Sequence, residues 1–452
     1  MRVLFLEIDT QREWAVASIG PAYLAAMIRR VGHEAQVLRI NEDAPISDLV
    51  EAVQEIGPDL IGVSLTSRQW LGARRLVNGL RETLAAPVPV IAGGLHATFS
   101  PDATLAIPGI DYVCLGEGEN AFLYFVEALD AGVTITDGLI DNIQVTPGHE
   151  HRPRLGPPFE PIDDLPFMAR DMLDEHYGVV HMCTQRGCPF PCTYCAARMY
   201  DELYDGTGGP SYGRRRSIEN VLAELDAIRG AGELNYVIFL DDTFTIHHPW
   251  VYEFCEAYRA HGGVPFSLHA RVETVSEKMI ERLAAAGCRH IVYGVESGSE
   301  RLRREIMQRP ATNDKIARIF EITKQAGIIV TANYMMGLPG ETIEELQATI
   351  DLHHRIRPDD FGYFVFYPYP GTALFHECRD KGYLPEDYLE RPANHRRSIL
   401  NLPGVTRDEI AAMYDRWTQV RIEHVTNRHG PEHAALHGVE VAASIQACAE
   451  AG

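Results

Sequence analysis

The chain has 452 residues, of which 46% are hydrophobic and 23% are charged, a composition typical of a globular protein with about two to four domains. This composition excludes a largely disordered chain and a coiled coil, and the longest apolar runs are too short to span a bilayer. The 41 Lys and Arg against 63 Asp and Glu give a formal charge of -22, which disfavours a nucleic-acid partner because an acidic surface repels phosphate backbones.

The first 130 residues alternate short apolar strands with helices of clear apolar periodicity. The N-terminus (MRVLFLEID) lacks the long apolar segment and cleavage site of a signal peptide, so we predict a buried first strand and a cytoplasmic protein without membrane contact. The predicted strands are 3–8, 35–40, 60–65, 88–92 and 112–115, and the predicted helices are 21–31, 46–56, 71–84 and 120–129. This alternation predicts a doubly wound, Rossmann- or flavodoxin-like parallel sheet over residues 1–135, with its ligand crevice at the carboxyl ends of the strands.

The remainder of the chain divides into three parts. Residues 136–178 are rich in Pro and Gly and predict an interdomain linker. Residues 179–374 resume the alternation in longer units, and six βα units fit an open (β/α)6 partial TIM barrel with its site at the C-terminal face. Residues 375–452 predict a small, mostly helical C-terminal region, with helices at 407–424 and in the Ala-rich end, 439–450.

The predicted strands of the barrel are 179–183, 236–240, 266–270, 290–294, 328–336 and 362–367. The predicted helices between them are 218–231, 249–261, 276–286, 313–326 and 343–356.

Four of the nine cysteines crowd into thirteen residues: Cys183, Cys188, Cys192 and Cys195. The last three form a C-x3-C-x2-C spacing on the loop after a barrel strand, where three thiolates would converge. Thiolates favour soft metals, and three of them fit three irons of a [4Fe–4S] cluster whose fourth iron is open to a ligand. The alternatives are a disulfide or a zinc ion with Cys183 or His181 as fourth ligand; as a lone residue, Cys183 predicts a core position.

The segment Cys188-Pro-Phe-Pro-Cys192-Thr-Tyr-Cys195 resembles the signature of the radical SAM superfamily. Gly294-Val-Glu-Ser-Gly-Ser299 and Gly337-Leu-Pro-Gly-Glu341 are similar to that family's S-adenosylmethionine-binding segments after the fourth and fifth strands. The resemblance implies a [4Fe–4S] cluster bound by Cys188, Cys192 and Cys195, which reduces S-adenosylmethionine and cleaves it to methionine and a 5′-deoxyadenosyl radical.

The resemblance also implies contacts to S-adenosylmethionine. Tyr194 would contact adenine, Glu296 and Ser297 the ribose or the amino group, and Arg271 the methionine carboxylate. Further cofactor contacts are expected at Gly337 and Tyr367, and candidate catalytic residues are Asp241, Asp242 and Tyr334. Structural roles are the alternative for several of these: Gly337 as a turn residue, Arg271 as an ion-pair partner of Glu296 or Asp241, and the two aspartates as a helix cap and a solvated charge.

A second resemblance, in the first domain, is to the cobalamin-binding domain that precedes many radical SAM domains. It is carried by Ala17-Ser-Ile-Gly-Pro-Ala-Tyr-Leu24, Gly62-Val-Ser-Leu-Thr66, Gly93-Gly-Leu-His-Ala-Thr98 and Gly116-Glu-Gly-Glu119. It implies cobalamin contacts at Gly20, Ser64, Thr66, Gly93, Gly94, His96, Gly116 and Glu117, where glycines let the backbone approach a flat macrocycle.

The cobalt-coordinating Asp-x-His-x-x-Gly motif of other cobalamin domains does not occur in the chain. The resemblance therefore implies a cobalt lower face without histidine, and the candidates that approach it are Arg68, Gln69 and Trp70, directly after the third strand. The alternative is a flavodoxin-like domain without a cofactor; neither a GxGxxG segment nor a P-loop follows the first strand.

Together these features predict a cobalamin-dependent radical SAM enzyme that methylates an unactivated carbon of a small-molecule or natural-product intermediate. The expected partners are that substrate and an external electron donor such as flavodoxin or ferredoxin. The alternatives are a ring-forming, ring-contracting or oxidative cyclase reaction without methyl transfer, and a non-catalytic cobalamin- or metal-binding sensor. The run Arg214-Arg-Arg216 before a helix predicts a solvated helix start in preference to a contact with an anionic group or the other domain.

Overall fold

The computed structural model describes residues 1–9, 18–208 and 213–429, and it contains two six-stranded sheets, one in each half of the chain. Both sheets arise from the strand–helix alternation, which confirms the predicted α/β class. No helix within the described residues is long and apolar enough to cross a membrane. The helix predicted at 439–450 lies outside them.

The first sheet has the strand order β2-β1-β3-β4-β5-β6. Its strands are β1 (Arg2–Asp9), β2 (Glu34–Asn41), β3 (Leu60–Ser64), β4 (Val90–Gly93), β5 (Tyr112–Cys114) and β6 (Ile143–Gln144). Its helices are α1 (Ile19–Arg29), α2 (Ile46–Ile56), α3 (Trp70–Thr83), α4 (Gly94–Phe99), α5 (Pro101–Leu105) and α6 (Glu119–Asp130). The first five strands are parallel, and β6 pairs antiparallel with β5.

Helices cover both faces of this sheet because successive side chains of β1 point in opposite directions. Val3 and Phe5 belong to one buried cluster, with residues of α1 and α6, whereas Leu4 and Leu6 belong to another, with residues of α2 and α3. The short elements α4, α5 and β6 were not predicted, because two to six residues are too few for a periodic pattern. The sheet is doubly wound, and its carboxyl edge is left for loops.

The segment between the two sheets is packed rather than extended. Residues 136–178 contain β6 and three 3-10 turns, and their apolar side chains join the buried cluster that includes α1 and α6. These side chains include Ile140, Ile162, Leu165, Met168 and Met172. The segment therefore contributes to the core of the first domain while it leads to the second.

The second sheet is wholly parallel and follows chain order from β7 through β10, β11, β12 and β13 to β14. Its strands are β7 (Val179–Met182), β10 (Tyr236–Phe239), β11 (Phe266–Ala270), β12 (Cys288–Glu296), β13 (Ile329–Met336) and β14 (Asp360–Val365). The connecting helices are α8 (Ile218–Ala231), α9 (His248–Ala260), α10 (Glu277–Ala286), α11 (Asn313–Gln325) and α12 (Ile343–Ile356). Strands β7 and β14 are its two edges, as expected for an open (β/α)6 arrangement.

Further elements surround this sheet. The pair β8 (Gln185–Arg186) and β9 (Arg214–Arg215) is a short antiparallel ribbon, and helix α7 (Ala196–Leu203) follows the cysteine loop. Near the C-terminus, α13 (Ala373–Asp380) and α14 (Arg407–His429) form the helical region.

Helix α14 closes the outer side of the barrel and defines the position of Tyr334. Trp417 of α14 is 1% exposed, and its ring stacks on that of Tyr334 at 4.8 Å between centroids. The Tyr334 hydroxyl is 3.1 Å from His353 Nδ1 on α12. Tyr334 is thus a core residue between β13 and the helices, which contradicts the catalytic role predicted for it.

Candidate functional site

A cavity of about 390 Å³ lies between the carboxyl edges of the two sheets and is lined by residues from both domains. From the first domain, its lining includes the predicted positions Gly20, Ser64, Gly93, Gly94, Gly116 and Glu117. From the second domain, it includes Cys183, Gln185, Arg186, Asp241 and Asp242, which lie beside the cysteine loop. The structure therefore brings most of the predicted cobalamin contacts to the same space as residues of the barrel.

Gly94, at the end of β4, has a backbone that other residues rarely adopt. Its φ is +89°, and a Cβ there would lie 2.8 Å from the carbonyl oxygen and 2.9 Å from the nitrogen of Leu65. Gly93 has no such constraint, because a Cβ at that position would meet nothing nearer than 3.8 Å. The two neighbouring glycines of the cavity wall therefore have different physical requirements.

We expect Gly94→Ala to lower the free energy of unfolding by about 1–3 kcal/mol, because it combines left-handed strain with a backbone clash. Gly93→Ala is the matched control and should leave stability close to that of the unmodified protein. Urea unfolding of both variants checks this difference. Equal unfolding midpoints for the two variants would contradict the structural assignment of Gly94.

Three predicted cobalamin contacts lie outside the cavity lining. The Thr66 hydroxyl is exposed and donates to Gln69 Oε1 at 3.0 Å. His96 is buried, with Nδ1 3.0 Å from Ser67 Oγ and its ring 4.4 Å from that of Trp70. Arg68 is half-buried, and its charge acts on Glu42 of the first domain and on His395, whose pKa burial lowers to about 4. Thr66, Arg68 and His96 thus do not line this cavity, and their contacts to cobalamin stay predictions.

Four buried charges join the loop after β5 to the segment that precedes the cysteines. Arg186 Nη2 donates to Glu119 Oε1 at 2.5 Å, and its Nη1 lies 3.2 Å from Glu117 Oε2. Arg214 makes a two-point contact with the Glu117 carboxylate, and the backbone N–H of Glu117 donates to the Tyr204 hydroxyl. Although burial opposes ionisation, Arg186 and Arg214 hold the pKa of Glu117 below its usual value.

The arginine run before α8 is therefore not a solvated helix start, as predicted, but a set of interior ion pairs. Arg214 pairs with Glu117 of the other domain, and Arg216 Nη1 donates to Glu224 Oε2 at 2.5 Å. Arg214 and Arg216 are 4% and 5% exposed. The predicted alternative, a contact with the other domain, is correct for Arg214.

The three motif cysteines lie on the loop that follows β8, at the C-terminal face of the barrel. The loop is held on both sides: Thr193 Oγ1 donates to Ile306 O at 2.6 Å, and Leu374 N donates to Thr193 O at 3.0 Å. Cys188 and Cys192 are buried, and Cys195 is half-buried and caps α7 by accepting from Ala197 N. Burial, with a smaller contribution from the charge of Asp242, raises the pKa of the Cys195 thiol to about 12.

The chemistry of this donor set fits a [4Fe–4S] cluster. Within the described residues, no group of three or more His, Cys, Asp or Glu side chains is close enough to hold one metal ion. That finding concerns a single shared ion, and it does not test the prediction that the three thiols converge on a cluster. An iron–sulfur cube has a separate iron for each thiolate, so spaced thiols on one loop suit it.

Two arginines lie beside the middle cysteine. Arg271 Nη1 donates to Cys192 Sγ at 2.9 Å, and its Nη2 donates to Glu273 Oε1 at 2.9 Å. Arg309 Nη1 lies 4.0 Å from the same sulfur and 3.2 Å from the Tyr194 hydroxyl. Arg271, predicted to bind the methionine carboxylate of S-adenosylmethionine, is directed in this structure at a thiol and at Glu273.

The two predicted aspartates occupy different surroundings. The Asp241 carboxylate accepts from Thr184 N, Gln185 N and Thr184 Oγ1 at 2.7 to 3.1 Å. Burial, only partly opposed by these donors, raises the pKa of Asp241 to about 6. Asp242 is exposed and lines the cavity. Asp241 therefore holds the turn before the cysteine loop, and Asp242 is the carboxylate that a ligand can reach.

The two predicted S-adenosylmethionine contacts at the end of β12, Glu296 and Ser297, also have different surroundings. Glu296 ends the strand with φ at +68°, and its Oε1 lies 3.6 Å from Arg309 Nη1. The next residue, Ser297, is fully buried, and its hydroxyl accepts from Ser299 N at 3.1 Å. Glu296 thus stands with Tyr194 beside the cysteine loop, whereas Ser297 supports the loop that follows.

The turn after β13 depends on a buried carboxylate. Gly337 has φ at +79°, and its N–H and that of Leu338 donate to Glu341 Oε2 at 2.6 and 3.1 Å. Tyr367 is 6% exposed and packs in the same buried cluster as Leu338. Burial raises the pKa of Glu341 to about 8. The contacts of Gly337 therefore agree with its alternative role, which is to shape the turn.

The raised pKa of Glu341 predicts a pH-dependent contribution to stability. The unfolded chain releases this proton near pH 4.5, whereas the folded chain keeps it until about pH 8, so stability falls as the pH rises between these values. Each unit of the difference corresponds to about 1.4 kcal/mol. We therefore expect Glu341→Gln to gain stability relative to the unmodified protein over this range.

Urea unfolding of both proteins across the range measures this difference. Glu344→Gln, at an exposed position of α12, is the control and should show no such gain. A difference between Glu341→Gln and the unmodified protein that is constant with pH would contradict a proton held by Glu341.

Sequence reasoning missed several residues of the site. Arg309 follows the predicted fourth-strand segment by ten residues and matched no motif, so only its approach to Tyr194 and Cys192 identifies it. Arg186 lies two residues before the first motif cysteine, and Glu119 is the glutamate of the GEGE turn that was not predicted as a contact, whereas Glu117 was. The sequence signal for this charge cluster was an acidic turn in one domain together with a run of arginines in the other.

The comparisons with known proteins agree with this geometry. The Radical SAM superfamily model matches residues 182–353, and the B12 binding domain model matches residues 12–126. An uncharacterized methyltransferase of Pyrococcus horikoshii is 28% identical over 371 residues, 79% of this chain and 77% of that protein. The cytidylyl-2-hydroxyethylphosphonate methyltransferase of Streptomyces wedmorensis is 25% identical over 470 residues, 88% of this chain and 85% of that protein.

Among solved structures, the radical S-adenosylmethionine methyltransferase TsrM from Kitasatospora setae has a similar fold. Its TM-score is 0.67 at 19% identity, over 84% of this chain and 76% of TsrM. The order of the two domains, the cysteine loop and the cavity between the sheets agree with the two matched models. The chain therefore belongs to the radical SAM enzymes that carry a B12-binding domain, and its cofactors are S-adenosylmethionine, a [4Fe–4S] cluster and cobalamin.

Proposed function

We propose that this enzyme transfers a methyl group to an unactivated carbon of a small-molecule substrate. The observation that carries the proposal is the cavity shared by the two domains, which has the glycine-lined edge of the first sheet on one side and Asp242 and Arg186 on the other. Two cofactors that act on one substrate must lie within reach of each other, and one shared space meets this requirement. The named methyltransferase relatives support the same reaction type.

When bound, the three cofactors supply one-electron reduction, hydrogen-atom abstraction and a transferable methyl group. In this proposal, Cys188, Cys192 and Cys195 hold the cluster. Tyr194, on the cysteine loop, and Glu296, which Arg309 links to it, are the polar side chains that bind S-adenosylmethionine in this proposal. Gly337 lets the backbone turn near that cofactor.

The first domain contributes the cobalamin site in this proposal. Gly20, Ser64, Gly93, Gly94 and Gly116 line its side of the cavity and leave room for a macrocycle and its nucleotide tail. The buried pairs of Glu117 with Arg186 and Arg214 hold this side against the barrel. The apolar lining from Phe5, Leu24, Ile91 and Phe122 excludes water from the space.

A radical SAM enzyme also needs a reductant. We propose an external one-electron donor such as flavodoxin or ferredoxin, and a small metabolite or natural-product intermediate as substrate, since an acidic chain disfavours RNA. Asp242 is the carboxylate placed to hold a hydroxyl or an amino group of that substrate.

The experiment that tests the proposal is an anaerobic assay of protein reconstituted with iron, sulfide and cobalamin. Mass spectrometry follows the products of S-adenosylmethionine in the presence and absence of cobalamin. Methyl transfer requires both 5′-deoxyadenosine and S-adenosylhomocysteine, with the latter lost when cobalamin is omitted. Deoxyadenosine alone would replace the proposal with the ring-forming class, and neither product from cluster-loaded protein would indicate a sensor.

A further inference from the structure

Cys192 differs from the other two motif cysteines in its electrostatic surroundings. Two guanidinium groups approach its sulfur, Arg271 Nη1 at 2.9 Å and Arg309 Nη1 at 4.0 Å. By contrast, the Cys188 sulfur lies 3.9 Å from the neutral hydroxyl of Thr243, and the Cys195 sulfur accepts from a backbone N–H. The two cations come from different segments, one after β11 and one after β12, so the fold converges them on one thiol.

Both arginines are buried, which makes their charges effective. Arg271 is 4% exposed and Arg309 is 7% exposed. Arg309 is fixed by donating to the Gly294 carbonyl at 2.7 Å, and its nearest carboxylate, Glu296, lies 3.6 Å away. A charge in a water-poor interior acts on a neighbouring group more strongly than a solvated one. The contacts of Arg309 with Tyr194 and Glu296 are therefore not its only interactions, because its charge also acts on the Cys192 sulfur.

We propose that Arg309, with Arg271, sets the reduction potential of the cluster through Cys192, an inference that rests on the proposed cluster. Reduction transfers one electron from an external one-electron donor, which is oxidised, and adds one negative charge at the cluster. Cationic donors near a ligating sulfur stabilise that added charge and raise the potential. Arg309 is a positioning residue in this scheme, since it acts through Cys192 and keeps its own proton throughout.

Arg309 is a better test position than Arg271. Arg271 makes a direct 2.9 Å contact with Cys192 Sγ and pairs with Glu273, so its loss removes a hydrogen bond and a buried ion pair together. Arg309 lies farther from the sulfur and acts mainly through its charge. Its partner Glu296 provides a change of opposite sign, because Glu296→Gln removes the carboxylate that offsets the Arg309 charge.

The measurement is a potentiometric titration of the full-length, reconstituted protein with dithionite, without S-adenosylmethionine, followed by the electron paramagnetic resonance signal of the reduced cluster. We expect the midpoint potential of Arg309→Gln to be more negative than that of the unmodified protein, and that of Glu296→Gln to be more positive. Arg309→Lys retains the charge and should restore the unmodified value. Arg301→Gln removes a half-buried arginine eight residues earlier, which pairs with Glu345 of α12, and should leave the midpoint potential unchanged.

A loaded Arg309→Gln variant with the unmodified potential would overturn the inference. If Arg309→Gln fails to take up iron, the midpoint potential of Glu296→Gln tests the inference instead. A shift of that potential to a more positive value supports the inference, and an unchanged potential overturns it. Failure of the unmodified protein to assemble a cluster is a different result, because it overturns the proposed function as well. Unmoved potentials in cluster-loaded variants leave the proposed function intact.

Discussion

Cys192→Ala is expected to abolish the visible absorption of the iron–sulfur cluster and to reduce 5′-deoxyadenosine formation to the level of a reaction without enzyme. The thiol lies between two other motif cysteines on one loop, and Arg271 donates to it at 2.9 Å. Its removal leaves two protein ligands for the cluster and a buried guanidinium without its sulfur partner. Two ligands on one side of a cube cannot hold it against loss of iron.

Iron and sulfide analysis, with the absorption spectrum and product assay on the same sample, checks this expectation. Cys183→Ala is the matched control: this thiol lines the cavity but lies five residues before the motif, directly after β7 and not on the loop that carries Cys188, Cys192 and Cys195. The control should hold about four irons per chain, as a complete cluster does. A Cys192→Ala protein with the same iron content would contradict the ligand assignment.

Arg214→Met is expected to produce the second large effect, a loss of about 3 kcal/mol in the free energy of unfolding. Breaking a buried ion pair by removing one partner costs about 3–5 kcal/mol, because a charge remains without compensation. The low end applies here because Arg186 still pairs with Glu117. The same substitution should weaken cobalamin retention, since Glu117 lines the cavity and connects the two domains.

Urea unfolding and the cobalamin content of the purified variant measure these two effects. The double variant Arg214→Met with Glu117→Gln should recover part of the lost stability, because it removes both charges of the pair. Arg154→Met is the control: its ion pair with Asp141 is a similar contact at the surface, with the arginine side chain 81% exposed. If Arg154→Met and Arg214→Met lowered the free energy of unfolding equally, burial of the Arg214–Glu117 pair would make no difference to its contribution to stability.

The shared cavity and the charge cluster also suggest how the two domains act together. The loop after β5 carries Glu117 and Glu119, and Arg186, which binds both, lies two residues before Cys188. A displacement of the first domain would therefore move the start of the cysteine loop. The loop after β5 in the first domain is thus coupled to the start of the cysteine loop through the ion pairs of Glu117 and Glu119.

Local sequence was sufficient for the alternation of elements and for the cysteine motif. Four predicted elements have the same bounds in the structure: Ile46–Ile56, Phe266–Ala270, Ile218–Ala231 and Ile343–Ile356. Their apolar periodicity arises from side chains that the same element buries, so neighbouring residues contain the information. The cysteine loop is equally local, because its chemistry depends on three thiols within eight residues.

Only the tertiary structure determined which side of a strand faces the site and which distant residue pairs with a buried charge. Tyr334 points to the helices because Trp417, 83 residues later, packs against that side of β13, and no local pattern states which side of a parallel strand faces the site. The arginine run was misjudged because the carboxylate that pairs with Arg214 lies 97 residues away in the other domain. Burial of a charge depends on a partner that the fold brings close, whereas apolar periodicity depends on neighbours in the chain. The sequence by itself therefore determined the two domains and the cysteine loop. Only the tertiary structure determined which charges surround them.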